Sequence, residues 1–180
     1  GLSVMDCKNA LEATDGDMEK AIITLRKKSS AAAAKKSERT LGAGIVQSYV
    51  HSSMDVGALV LLSCETDFVS KNEEFVALAH DIAMHATATN PQFISRDEVK
   101  EEDTKKAREL FEEQAKDKPE DKREAIVEGM MNSFLKEKVL LEQPYIKNPD
   151  NTINDLIEQA TQKFGERIEI TNCVRVSLDR

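Results

Sequence analysis

From residue 73 to residue 86 the apolar side chains return at helical spacing, as Phe75, Leu78, Ala79, Ile82, Ala83 and Ala86, and Asn90-Pro91 marks the end of that helix. Before it the period changes. Ile45-Val46-Gln47-Ser48-Tyr49-Val50 and the run from Val56 to Cys64 are rich in β-branched residues and flank a turn at Ser52 to Asp55, which predicts an antiparallel hairpin. The second run is apolar at nearly every position, so it is expected to be a central strand covered on at least one face by helices. Further on, Pro144 and Pro149 bracket a loop, and Thr152 can cap a helix carrying Ile153, Leu156, Ile157 and Ala160. Gly165 releases that helix into an alternating strand, Ile168 to Val176, which can close the sheet.

Asp103 to Lys116 and Pro119 to Leu141 predict two more helices, split by Asp117-Lys118-Pro119 into a hairpin with Ile126, Met130, Phe134 and Leu135 facing inward. At the amino end, Val4 to Ala13 predicts a helix stopped at Asp15-Gly16. Asp17 then caps a second helix with the apolar stripe Met18, Ile22 and Leu25, ending on Arg26-Lys27-Lys28. Two such helices make no stable core unaided, so a further helix ahead of Gly1 is expected to be missing or truncated. Ser29 to Thr40 contains alanines and charges but no large apolar residue, and is read as a linker, helical or not, that buries no face. The organisation expected is a partial helical module at 1–28, a linker at 29–43 and a core at 44–180. Its class is α+β, a small antiparallel three-stranded sheet packed with helices and a helical hairpin.

With 180 residues, 40% of them hydrophobic, the chain can bury one core of ordinary size. A formal charge of -8 argues against a general nucleic-acid binder, since phosphate binding depends on Lys and Arg. The longest uninterrupted apolar run, residues 58–62, is far short of the roughly 20 that span a bilayer, and no segment reads as a signal peptide, so a soluble intracellular protein is expected. Cys7, Cys64 and Cys173 are odd in number and form no CxxC pair, which points to a reducing compartment and away from disulfides or zinc.

Catalytic signals are sparse. His80 and His85 are five apart and do not share a helical face as the pair of an HExxH site does, so both are read as helix-surface or partly buried residues. Gly42-Ala43-Gly44 lacks the Gly-Lys-Ser/Thr ending of a phosphate-binding loop and is read as a hinge. Cys64 has no nearby base in sequence and reads as a small buried residue, while Glu65, Asp67, Glu73 and Glu74 suit a strand end followed by a helix start. Asp67-Phe68 is different, because a Phe where a turn belongs either packs back onto its own core or anchors in a partner's pocket. The residues alone leave both open. They also leave open a small thiol or carboxylate enzyme built on Cys64 or Glu65 with His80, and a helical RNA-associated scaffold using Lys27, Lys35, Lys36 and Arg39.

Cys64-Glu65-Thr66-Asp67-Phe68-Val69-Ser70-Lys71-Asn72-Glu73-Glu74-Phe75 resembles the Thr-Asp-Phe-Val motif, and the Asn-Glu-Glu-Phe after it, of the elongation factor Ts family. Val4 to Leu11, with Gly16-Asp17 and Lys20-Ala21-Ile22, is similar to that family's amino-terminal ubiquitin-associated-like module. Val139-Leu140-Leu141-Glu142-Gln143-Pro144-Tyr145 and Phe164-Gly165-Glu166 resemble its later segments. The family's first helix has no counterpart before Gly1, and Val4 stands where a second Met is usual. The resemblance implies a short form, without the duplicated core half and inserted coiled coil of long forms, acting as a homodimer. It implies a guanine nucleotide exchange factor rather than an enzyme, one that binds elongation factor Tu in its GDP-bound and nucleotide-free states. By the same resemblance Thr66, Asp67 and Phe68 enter beside the partner's switch and magnesium site. Phe164 and Gly165 press towards its phosphate-binding loop, and Val4, Met5 and Lys8 add an anchoring contact. No catalytic residue, cofactor or metal of its own is implied, nor direct contact with nucleic acid or membrane. The expected compartment is the cytoplasm, with a bacterial source favoured and an organelle matrix left open.

Overall fold

A computed structural model of the chain describes residues 3–178, so the outermost residues of the expected 1–28 and 44–180 units lie outside it. The hairpin forms as the pattern predicts. Strand β1 (Ala43–Val50) pairs antiparallel with β2 (Val56–Cys64), from Ala43 opposite Cys64 to Val50 opposite Gly57. Gly44 is required there, because a Cβ at that position would sit 2.8 Å from the Leu62 carbonyl oxygen. Strand β5 (Glu169–Ser177) takes the other edge of β2, giving the order β1-β2-β5 and leaving the apolar run at the centre.

Helix α4 (Glu73–Thr89) lies across one face of this sheet, started by Asn72, whose side chain accepts from Glu74 N, and ended by Asn90 in the left-handed conformation. Val60, Leu62, Cys64, Phe75, Ile82, Leu140 and Ile153 are fully buried in the core that results. Helix α7 (Ile153–Phe164) completes this core, begun by a Thr152–Asp155 capping box and stopped by Gly165 at φ 74°. The loop expected between Pro144 and Pro149 contains a small antiparallel pair, β3 (Pro144–Tyr145) and β4 (Asn148–Thr152).

His85 departs from the reading as a surface or partly buried residue, since it is fully buried. Its Nε2 lies 2.9 Å from Gln143 Oε1, an oxygen that also accepts from Thr89 Oγ1, and the Ile146 amide points at Nδ1. Apolar periodicity cannot see this, because the partners come from a segment 58 residues away.

The helical hairpin is α5 (Glu101–Ala115) and α6 (Glu120–Lys138). Its buried contact is one residue out of phase with the expected stripe. Val127 and Met131 cluster with Ala115 and Phe111, whereas Ile126, Met130, Phe134 and Leu135 are only half-buried. The pair forms the expected helical hairpin, a two-helix arm with an apolar cluster of its own.

At the amino end, α1 (Val4–Ala13) turns through Asp15 and Gly16, both at positive φ, into α2 (Met18–Ala34), capped by Asp17. The expected stripe of α2 does not face inward, since Met18 and Ile22 are 64% and 46% exposed. Leu25 is half-buried, and the fully buried positions are Ala21 and Ser29, because α2 packs on α1 and, running past residue 28, also on α7. Ser29 donates to Gln162, so the segment read as burying no face does bury a small polar one.

Candidate functional site

Strand β2 ends at Cys64, and after two further residues the chain makes one helical turn, α3 (Asp67–Ser70), before Asn72 starts α4. Successive residues of a helix point about 100° apart, so a single turn divides its side chains between core and solvent. Val69 and Ser70 go inward, at 4% and 8% exposed, while Phe68 is left 82% exposed. The Phe that sequence alone could place in either the core or a partner is therefore not core.

Beside it, Asp67 pairs with Lys71 at 2.7 Å, on a solvated surface. The Lys71 hydrogen bond holds the Asp67 carboxyl below its ordinary range, so Asp67 is an anion throughout the neutral range. The exposed corner thus offers one flat apolar group and one negative charge on adjacent residues.

The turn after α7 lies against this corner. Glu166 accepts from the Glu65 and Thr66 amides at 3.1 and 3.0 Å and from Thr66 Oγ1 at 2.6 Å. In the other direction Glu65 accepts from the Arg167 amide at 2.6 Å and from Arg39 Nη1 at 3.3 Å, and the Arg167 bond holds its carboxyl low. Gly165 stands exposed in the same turn, with its carbonyl 3.4 Å from Arg39. Phe164 is half-buried, its ring edge-on to Phe75 at 6.0 Å, so its side chain belongs to the core packing. Thr66, Asp67, Phe68, Phe164 and Gly165 are thus brought to one end of the sheet.

Val4, Met5 and Lys8 are exposed on α1, and Lys8 pairs with Glu12. Among the described residues no hydrogen bond or ion pair joins these three to the corner. Glu65, Glu166, Arg167 and Arg39 are the residues whose part in the corner sequence reasoning misses. Nothing in local spacing marks them, since the bonds cross about a hundred positions of chain.

The enzyme constellation is not assembled. Cys64 is fully buried, its thiol donates to the Thr66 carbonyl, and burial pushes its pKa up. Glu65 is occupied by Arg167 and Arg39, and His80 lies on the surface of α4 against Tyr49. Among the described residues no group of three or more His, Cys, Asp or Glu could hold a metal ion. The basic patch considered for RNA is partly consumed as well, with Lys36 donating to the Thr161 carbonyl and Arg39 to Glu65. No helix of the described residues is long and apolar enough to cross a membrane.

Comparison with known proteins agrees with the motif at this corner. The family model described as Elongation factor TS matches residues 8–180. The chain is 48% identical over 180 residues to elongation factor Ts of Carboxydothermus hydrogenoformans, covering 99% of this chain and 83% of that protein. Against elongation factor Ts of Thermosipho melanesiensis the identity is 44%, covering 99% and 92%. The chain belongs to the elongation factor Ts family of translation elongation factors.

Proposed function

We propose that this chain is the guanine nucleotide exchange factor of elongation factor Tu, and that it acts through the α3 corner. The observation that carries the reading is Phe68, 82% exposed on a turn whose next two residues are buried. Fully hiding a Phe from water is worth about 1.5 to 3 kcal/mol, and that gain is unclaimed in the free chain. A partner pocket beside the switch and magnesium site would claim it.

Asp67 brings a negative charge with the ring. Placed near a bound metal and phosphates, an anion competes for the one and repels the other, so both groups favour the partner without nucleotide. The energetics are those of linkage. A factor that binds the empty GTPase more tightly than the loaded one weakens GDP by the same coupling free energy, typically about 1 to 3 kcal/mol and here necessarily larger. No bond is made or broken, and no cofactor is called for.

Thr66 and Gly165 border the same contact, Phe164 supports it from behind, and Val4, Met5 and Lys8 add a second attachment on the helical module. A homodimer is proposed through the sheet face that α4 does not cover. The charge of -8 fits a protein partner better than nucleic acid, and the bacterial cytoplasm is the proposed compartment.

Stopped-flow release of a fluorescent GDP analogue from elongation factor Tu tests the reading. Acceleration by this chain that is lost in the Asp67→Ala/Phe68→Ala variant is expected. A folded wild type that leaves the release rate unchanged would overturn it.

A further inference from the structure

The pairing of β2 with β5 ends at Ser63 opposite Glu169. Beyond that point the two chain segments carry the α3 corner on one side and the turn after α7 on the other, with no ladder between them. Side chains take over where the backbone stops. Glu166 accepts the Glu65 and Thr66 amides, and Glu65 accepts the Arg167 amide, so each glutamate holds the backbone beside the other. Two crossed bridges restrain sliding and rotation together, which one bridge cannot do.

Helix α3 needs such support. A single turn of four residues has no helical stability of its own. Thr66 stands where a capping residue would, yet its hydroxyl makes no cap bond and is given to Glu166 instead. Arg39 and Arg167 extend the hold, Arg39 reaching Glu65 and Arg167 Nη1 reaching the Arg39 carbonyl at 2.7 Å. Hydrogen bonds to a carboxylate are the stronger kind, and backbone donors impose a geometry that a salt bridge between flexible side chains does not.

We propose that Glu166, acting with Glu65, is the positioning residue of nucleotide exchange: the crossed glutamates hold the α3 turn so that Asp67 and Phe68 project in the orientation the partner requires. Glu166 works through the turn and does not itself touch the partner. This rests on the exchange reading above, and its test is arranged so that the two can fail separately.

The chain contains no Trp, so the Phe68→Trp variant carries a single indole fluorophore, at the tip of the turn. In that variant, isolated and otherwise unchanged, time-resolved anisotropy should show restricted motion of the introduced indole. Adding Glu166→Ala should widen its motion, and Glu166→Gln, which keeps the shape and one acceptor oxygen, should restore part of the restriction. In the exchange assay, Glu166→Ala should lower GDP release at saturating factor by about tenfold, the scale of a lost charged hydrogen bond. In a Phe68→Ala background the further loss should be much smaller than in the wild type, because the ring is gone and only Asp67 is left to position.

Unchanged indole motion in both Glu166 variants would overturn the proposal whatever the exchange assay gives. So would losses that add in the double variant, or hydrogen exchange that rises across the whole sheet rather than at residues 65–70. If the wild type fails to release GDP, the exchange reading falls, while the anisotropy still decides whether the clasp holds the turn.

Discussion

Phe68 and Val69 are neighbours in sequence and opposites in exposure, and that contrast is the basis for separating binding from folding. Phe68→Ala removes little that the free chain buries, so its melting temperature is expected to match wild type. Removing a central aromatic anchor from an interface costs on the order of 2 kcal/mol or more, so affinity for elongation factor Tu should fall at least about thirtyfold in calorimetry. A matching loss of thermal stability would mean the ring contributes to the core after all. His85 supplies the opposite case, a polar residue held wholly inside the fold. Burial lowers its pKa from the ordinary 6.5, so the folded state favours the neutral ring. Its contribution is complete above the unfolded value and is lost as pH falls towards the lowered folded value. Geometry gives the reason, since a second ring proton would fall on Nδ1, where the Ile146 amide already points. Melting temperature should therefore drop as pH falls below the ordinary 6.5, and the drop should shrink in His85→Gln, which titrates nothing. Equal slopes in the two proteins would place the pH dependence elsewhere.

Individual elements differ in how far they can be read from sequence, and the reason is where their information lies. β1, β2, α4, α7 and β5 are legible because period, caps and turns are all local, as with Asn72 before α4 and Gly165 after α7. The apolar stripes of α2 and α6 are not, because what a helix buries depends on its neighbour. Once α2 lies against α1 and α7, Ala21 and Ser29 are the positions hidden, and Met18 and Ile22 are not. The site is legible only in its exposed half. Asp67 and Phe68 stand out as an anomaly in a turn, whereas the glutamates behind them look like ordinary strand-end charges until the fold brings residue 65 to residue 166. The α5–α6 arm carries a prediction at this scale. Its cluster of Ala115, Val127 and Met131 is separate from the main core, with Phe111 edge-on to Phe134 at 6.2 Å. Met131→Ala should cost the arm about 2 to 3 kcal/mol and leave the sheet untouched. Hydrogen exchange should accelerate at residues 101–138 and not at β2; acceleration in both would show that the arm and core unfold as one unit.

For the molecule as a whole, the sheet presents an imbalance that only a second surface can resolve. Helix α4 covers one face, and the other carries Val46, Val50, Leu59, Val174 and Val176, all exposed. The strand register makes them contiguous, with Val46 opposite Leu61, Leu59 opposite Val174, and Val176 opposite Gly57. A patch of this kind on a free monomer is a binding surface or an aggregation hazard. A two-fold dimer requires the same patch on both partners, and these strand positions bear no charge that its symmetric copy would repel, so a second copy of this chain is the occupant proposed. Sedimentation equilibrium at micromolar protein should then report twice the chain mass. Leu59→Asp would bury an unpaired charge in an apolar interface, at a cost of about 3 to 5 kcal/mol, and should shift the mass to that of one chain. Because Leu59 faces solvent within each copy, the variant's circular dichroism should not change. A wild type that sediments as one chain would rule the dimer out and leave this face for a different protein. Should the dimer hold, the α3 corner lies at the end of the sheet rather than on the face that pairs, so each copy would keep a free Phe68 and could engage its own elongation factor Tu.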